Sequence, residues 1–127
     1  MPHISKRLLQ KEQFIEMHKQ LYKIINDFSK INKTSLLLDT ILTKTEKIML
    51  SKRLAIVLLL DQGETIYAIE NTLKVSPSTV ARISNDHENG KFSKMLNEIK
   101  KTDIWDEIKK IIPPRVGRNR FKNFLNF

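Results

Sequence analysis

The chain has no cysteine among its 127 residues, only three glycines and a single tryptophan. Without cysteine it forms no disulfide, performs no thiol chemistry and holds no metal through thiolate ligands. The three histidines, His3, His18 and His87, are far apart and match no metal-ligand spacing. No glycine-rich phosphate loop, acid–base constellation or nucleophile motif is visible either. The sequence therefore predicts neither an enzyme nor a metal site.

Long apolar runs are also missing. The longest unbroken run extends from Leu54 to Leu60, whereas a membrane-spanning helix needs about 18 residues. Residues 1–7 carry positive charge, but the apolar segment of a secretory signal does not follow them. We expect a cytoplasmic protein that does not bind membranes.

Positive charge is in excess, with 23 lysines and arginines against 14 acidic residues and a net charge of +9. Such an excess suggests a polyanionic partner, and nucleic acid is the usual one. The segments before and after residues 63–90 supply the positive excess. Residues 63–90 have two basic and four acidic side chains, whereas residues 113–127 have four basic and no acidic ones. Net charge therefore predicts affinity for anions without locating the surface that binds them.

Apolar residues recur every three or four positions along most of the chain, which predicts an all-α fold. An amphipathic helix is predicted over about residues 5–29, and a short apolar helix from Ser35 to Leu42. Further helix is predicted over residues 91–112, in two pieces. We expect residues 1–112 to form one helical domain and the basic residues 113–127 to form a flexible tail.

A third helix is predicted between a capping box and a terminal glycine. Thr43 and Glu46 have the spacing of that box, and Gly63 follows the expected end at about Gln62. The helix is apolar around nearly its whole circumference, so it needs neighbours on all sides. A chain with few helices cannot provide them all, and a partner subunit is the expected source of the missing cover.

Residues 65–85, TIYAIENTLKVSPSTVARISN, predict two short helices joined by a tight turn. Thr65 is placed to cap the first helix, which carries Ile69 and Leu73 on one face. Ser76 is placed to cap the second, with Pro77 at the first helical position. This is the pattern of a helix-turn-helix, whose second helix enters the major groove of DNA.

The second helix has an inward and an outward face. Val80 and Ile83 are spaced to point back at the first helix. The remaining positions, together with a lysine expected to contact phosphate, are the candidate DNA-binding residues: Ser76, Pro77, Ser78, Thr79, Ala81, Arg82, Asn85 and Lys52. Lys74 stands where the turn often has glycine, at a cost of up to about 1 kcal/mol if its φ is positive.

Two stretches, LTKTEKIMLSKRLAIVLLLDQGET and IENTLKVSPSTVARISN, resemble the Trp repressor family in their order and spacing. The resemblance covers residues 42–101, about half of the chain; the N-terminal helix is similar only in character. It implies an all-helical, interlocked homodimer with a helix-turn-helix in each subunit. It also implies a transcriptional regulator that binds palindromic duplex DNA, and repression is the mode of regulation we expect.

The resemblance also implies an effector pocket in which an indole lies between two arginines beside a threonine. Thr43, Arg53 and Arg82 match those positions. Ile83 replaces the glycine that lets the ring approach the backbone, and Asp86 replaces a nearby serine, although its carboxylate can still pair with an amino group. We therefore expect no cofactor and no response to L-tryptophan; another effector, or DNA binding without one, stays open.

A second function remains open at this stage. The acidic excess of residues 63–90 fits a protein–protein adaptor in which the helical hairpin binds another protein instead of DNA. In the DNA hypothesis, flanking lysines and arginines contact phosphates while short side chains meet base edges, and DNA shape contributes to specificity.

Overall fold

A computed structural model describes residues 10–103 and residue 106. Within them the chain forms six α-helices and no strand, which confirms the all-α prediction: α1 (Lys11–Lys30), α2 (Thr34–Ile41), α3 (Lys44–Asp61), α4 (Ile66–Leu73), α5 (Pro77–Glu88) and α6 (Ser93–Lys100). None of the described helices is long and apolar enough to cross a membrane. The second piece of the helix predicted over 91–112, and the predicted tail at 113–127, lie outside the described residues.

The first helix begins later than the apolar pattern predicts. Gln10 has an extended backbone, with φ −67° and ψ 153°, and α1 starts at Lys11, while the predicted helical residues before Gln10 lie outside the described part of the chain. The Gln10 N–H donates to Oε1 of Gln13 at 3.1 Å, which satisfies one of the amides left open at a helix start. A local polar contact therefore decides the boundary that apolar spacing left undefined.

Both predicted ends of α3 are confirmed. The Glu46 N–H donates to Oγ1 of Thr43 at 3.1 Å, and the Thr43 N–H donates to Oε1 of Glu46 at 2.9 Å, which completes the capping box. Hydrogen bonds to the Glu46 carboxyl, first from the Thr43 backbone N–H and second from the Thr43 side chain, hold the pKa of this carboxyl below its ordinary value. At the other end Gly63 has φ 85°, and the Glu64 N–H donates to the Leu59 carbonyl at 3.0 Å.

The chain divides into two compact units, the first extending to Lys47 and the second starting at Ile48. In the first unit α1 packs against α2, yet neither helix contains a buried residue. Their large apolar side chains are exposed instead: Phe14, Ile15, Met17, Leu21, Tyr22, Ile24, Leu36 and Ile41. The amphipathic stripe of α1 is thus present as predicted, but none of residues 10–47 is buried beneath it.

The second unit has the core. Its buried apolar side chains come from four helices, α3 to α6: Ala55, Ile56, Val57, Leu58, Leu59, Ile69, Leu73, Val80, Ile83 and Leu96. The expectation that α3 cannot be covered within one subunit is therefore wrong for residues 55–59, which this chain covers itself. Earlier in the helix Ile48, Leu50 and Leu54 are exposed.

A charged cluster joins three helices of the second unit. Asp61, at the end of α3, accepts from Nζ of Lys100 at 2.9 Å and lies 3.4 Å from Nε2 of His87. Because Lys100 ends α6 and His87 lies in the last turn of α5, this carboxylate fixes the C-terminal ends of all three helices near one another.

Candidate nucleic-acid interface

Helices α4 and α5 form the helix-turn-helix that the sequence predicts, and the caps are the predicted ones. The Thr65 hydroxyl accepts from the Ala68 N–H at 3.1 Å, and the Ser76 hydroxyl accepts from the Thr79 N–H at 3.3 Å. Pro77 occupies the first turn of α5, where a missing N–H leaves no bond unmade. The second helix runs on to Glu88, three residues past the predicted motif.

The inward face of the motif is fully packed. Ile69 and Val80 are 0 % exposed, and Leu73 and Ile83 are also buried, with Val75 of the turn packed partly against them. The predicted contact face of α5 is therefore confirmed. Burial of these four side chains fixes which side of α5 remains available to a partner.

The opposite side of α5 presents the candidate DNA-binding residues. Six of the seven on this helix and its cap are exposed: Ser76, Pro77, Ser78, Ala81, Arg82 and Asn85. Thr79 is half-buried, and its hydroxyl lies 2.8 Å from the Ser76 hydroxyl. Thr79 thus belongs partly to the cap, and its hydroxyl is less available to a base than that of Ser78.

The turn between the helices depends on a residue in a strained conformation. Lys74 has φ 55° and ψ 53°, the left-handed region, which costs a side-chain-bearing residue about 1 kcal/mol relative to glycine. Its N–H donates to the Glu70 carbonyl, and so does the Val75 N–H at 3.3 Å. The condition that the sequence analysis attached to this cost, a positive φ at Lys74, is therefore met.

Lys52 faces this turn. Its Nζ donates to the main-chain carbonyl of Lys74 at 3.3 Å, and its side chain is partly buried. From the sequence Lys52 is expected to contact DNA phosphates, and its contact with the turn is not predicted. No local signal pointed to it, because the two residues are 22 positions apart and meet only through the packing of α3 against the motif.

The residues matched to an effector pocket have different surroundings. Thr43 lies in the first unit and caps α3. In the second unit, Arg53 and Arg82 are exposed and form no ion pair with any residue of the described part. Ile83 is buried in the core, and Asp86 lies 3.5 Å from Nζ of Lys91.

Ile83, the β-branched residue expected to obstruct a flat ring, packs in the core of the second unit. Asp86 already has a cationic neighbour. Among residues 10–103 and 106, no group of three or more histidine, aspartate or glutamate side chains is arranged to hold a metal ion.

Comparison with known proteins decides the family. The family model described as Trp repressor protein matches residues 16–100, two thirds of the chain. The chain belongs to the Trp repressor family. The match runs from the second turn of α1 to the end of α6 and so includes the N-terminal helix, which the sequence analysis found similar only in character. No curated protein and no solved structure gives a significant match.

The Trp repressor family consists of DNA-binding transcriptional regulators and not of enzymes, and its helical helix-turn-helix fold agrees with the architecture described above.

Proposed function

We propose that the chain is a homodimeric, sequence-specific transcriptional repressor that reads a pseudo-palindromic operator in the cytoplasm through α5. One observation carries the proposal: the first three turns of α5 bury Val80 and Ile83 while Ser78, Ala81 and Arg82 stay exposed on the other side. A capped helix held on one face and open on the other is what major-groove reading requires.

The exposed side chains suit base edges of several kinds. The methyl group of Ala81 suits a thymine methyl, Asn85 has the two groups that pair with adenine, and Ser78 bonds to either donors or acceptors. Arg82 is free of any ion pair within the described part and reaches furthest. The motif itself has an acidic excess, so in this proposal lysines outside it contact the DNA phosphates, among them the exposed Lys94 on α6.

The apolar surface of the first unit supports the homodimer. Leu21 is 45 % and Met17 is 55 % exposed, on a helix whose other side is charged. A stripe of this size on an isolated chain is unfavourable in water, and a second copy offers an identical stripe to cover it. The two reading helices of such a dimer would meet half-sites about 34–36 Å apart.

The same proposal includes no role for L-tryptophan. Ile83 belongs to the core, so its replacement by glycine would cost stability, and the test is best made on the unchanged chain. A calorimetric titration of the chain with L-tryptophan should give no binding heat, and DNA affinity should be the same with and without it. Micromolar binding would contradict this part of the proposal.

The DNA proposal is tested by selecting sites from a random duplex pool and measuring affinity by fluorescence anisotropy. We expect one pseudo-palindromic sequence to be enriched, and log affinity to fall with log salt by about 0.9 per phosphate neutralised. Ser78→Glu should abolish selective binding, because it places a carboxylate against base edges and phosphates.

Ser35→Glu is the matched control for that variant. Like Ser78, Ser35 is an exposed serine at the second position of a helix, so both variants add one carboxylate to a helix start. The control should bind as the unchanged chain does. If no sequence is enriched and Ser78→Glu also binds unchanged, α5 does not read DNA, and the acidic motif is then better explained as a surface for another protein.

A further inference from the structure

The turn that precedes the reading helix is held from outside the motif. Lys74 adopts the left-handed conformation, which glycine adopts more readily than residues with a side chain. Its carbonyl accepts a hydrogen bond from Nζ of Lys52 on α3. Ser76, which caps α5, follows only two residues later. A change in the backbone at Lys74 therefore moves the cap and the start of the reading helix directly.

The position of the cation explains why the bond is favourable. The last carbonyls of α4 have no partner further along the helix, and they form the negative end of its dipole. An ammonium group placed there is stabilised by both effects. The φ and ψ of Lys74 set the direction of its carbonyl. Because the Lys52 ammonium group on α3 bonds that carbonyl only when it points toward α3, the bond favours the left-handed conformation of Lys74 over other backbone conformations.

We propose that Lys52 is a positioning residue for the helix-turn-helix: it fixes the turn at Lys74, and through the turn it sets the orientation of α5 toward DNA. This replaces the sequence-based assignment of Lys52 to a phosphate contact. The proposal rests on α5 reading DNA, as proposed above, but the state of the turn is measurable without DNA.

Amide hydrogen exchange tests the turn in the full-length protein. In Lys52→Met, which keeps the apolar stem, the Lys74 and Val75 amides should exchange about two- to tenfold faster, the range that one lost hydrogen bond of ordinary strength gives. The Glu64 amide, bonded to the Leu59 carbonyl at the end of α3, should keep its rate and shows that the fold is intact.

Two further variants separate the contact from the charge. Lys52→Arg retains a donor and should restore slow exchange at both amides. Lys94→Met removes the same charge from an exposed site on α6 and should leave the exchange rates of both amides unchanged.

A Lys74→Gly background tests whether Lys52 acts by supporting the strained turn. With glycine at position 74 the left-handed conformation costs little, so Lys52→Met should accelerate exchange less than it does in the unchanged chain. Equal acceleration in both backgrounds overturns the proposal, and so does unchanged exchange in Lys52→Met.

DNA binding supplies the second test. Lys52→Met should lower the ratio of specific to non-specific affinity by about two- to tenfold, the loss expected for one hydrogen bond. The slope of log affinity against log salt should stay the same. If instead the slope falls by about 0.9 while the ratio is kept, Lys52 contacts phosphate and the proposal is wrong. If the unchanged chain selects no sequence, the proposed function fails, and the exchange result alone then decides the role of Lys52 in the turn.

Discussion

The two units of the chain carry similar apolar patterns and use them differently. In the first, α1 and α2 contain no buried residue, whereas the second buries ten apolar side chains from four helices. Both show apolar residues at helical spacing. The difference is that side chains of α4, α5 and α6 share a core with the second half of α3, whereas α1 packs against the short α2 without any buried side chain in either helix. Periodicity thus reveals which face of a helix is apolar, but it does not reveal what covers that face.

The largest expected effect compares two leucines, one from each unit. Leu59 is 0 % exposed and Leu21 is 45 % exposed. Leu59→Ala should lower the free energy of unfolding by about 2–5 kcal/mol, since it removes core packing and leaves a cavity. Leu21→Ala should cost clearly less at protein concentrations low enough for the chain to be monomeric, where no second copy covers Leu21. Urea unfolding followed by circular dichroism measures both variants there, and equal losses would mean that the first unit has a core of its own.

The next effect concerns association. Leu21→Glu places a charge in the apolar stripe of α1 and should shift the protein from dimer to monomer in sedimentation at micromolar concentration, because a second copy can no longer cover the stripe without burying a carboxylate. Lys23→Glu adds the same side chain on the charged side of the helix and should leave the dimer intact. A folded monomer of the unchanged chain at that concentration would contradict the role proposed for this surface.

A smaller effect is expected within the second unit. Ser76→Ala should lower stability by about 1 kcal/mol, because the Thr79 amide loses its acceptor at the start of α5. Ser78→Ala, two residues on, removes a hydroxyl that bonds no backbone amide in the described part and should change the melting temperature little. Comparable destabilisation of the two variants would show that Ser76 does not act as the cap.

The smallest effect belongs to the capping box in the first unit. Because the pKa of Glu46 is lowered in the folded chain, its ionised form stabilises folding. That contribution is complete above the unfolded pKa and is lost as pH falls through the folded pKa. NMR titration should find the pKa of Glu46 below the ordinary value for glutamate, and Thr43→Ala should raise it. An unshifted pKa in both proteins would contradict the observed bonds.

The parts of the fold predicted from sequence are those with local signals. The caps at Thr65 and Ser76, the turn at Lys74 and the inward face of α5 each depend on residues within a few positions of one another, and all were predicted. The apolar spacing of Val80 and Ile83 decides which side of α5 is open, so the exposed candidates on that helix followed as well, with Thr79 only half exposed.

The remaining features depend on tertiary packing. The contacts of Lys52 with Lys74, and of Asp61 with His87 and Lys100, join residues that are more than 20 positions apart in the chain. The sequence shows that these side chains are able to form polar contacts, but it does not show which residue each of them contacts. The burial of residues 55–59 of α3 by α4, α5 and α6 was not predicted for the same reason, because the apolar pattern of one helix does not show which other helices pack against it.

The most direct measurement is the stoichiometry of the complex between the unchanged chain and its selected duplex, obtained by sedimentation equilibrium. If α5 reads DNA while the apolar surface of the first unit joins two copies, the complex should contain two chains on one duplex, with half-sites about one helical turn apart. A fully selective complex with one chain per duplex, or the absence of any selective complex, would contradict that division of roles.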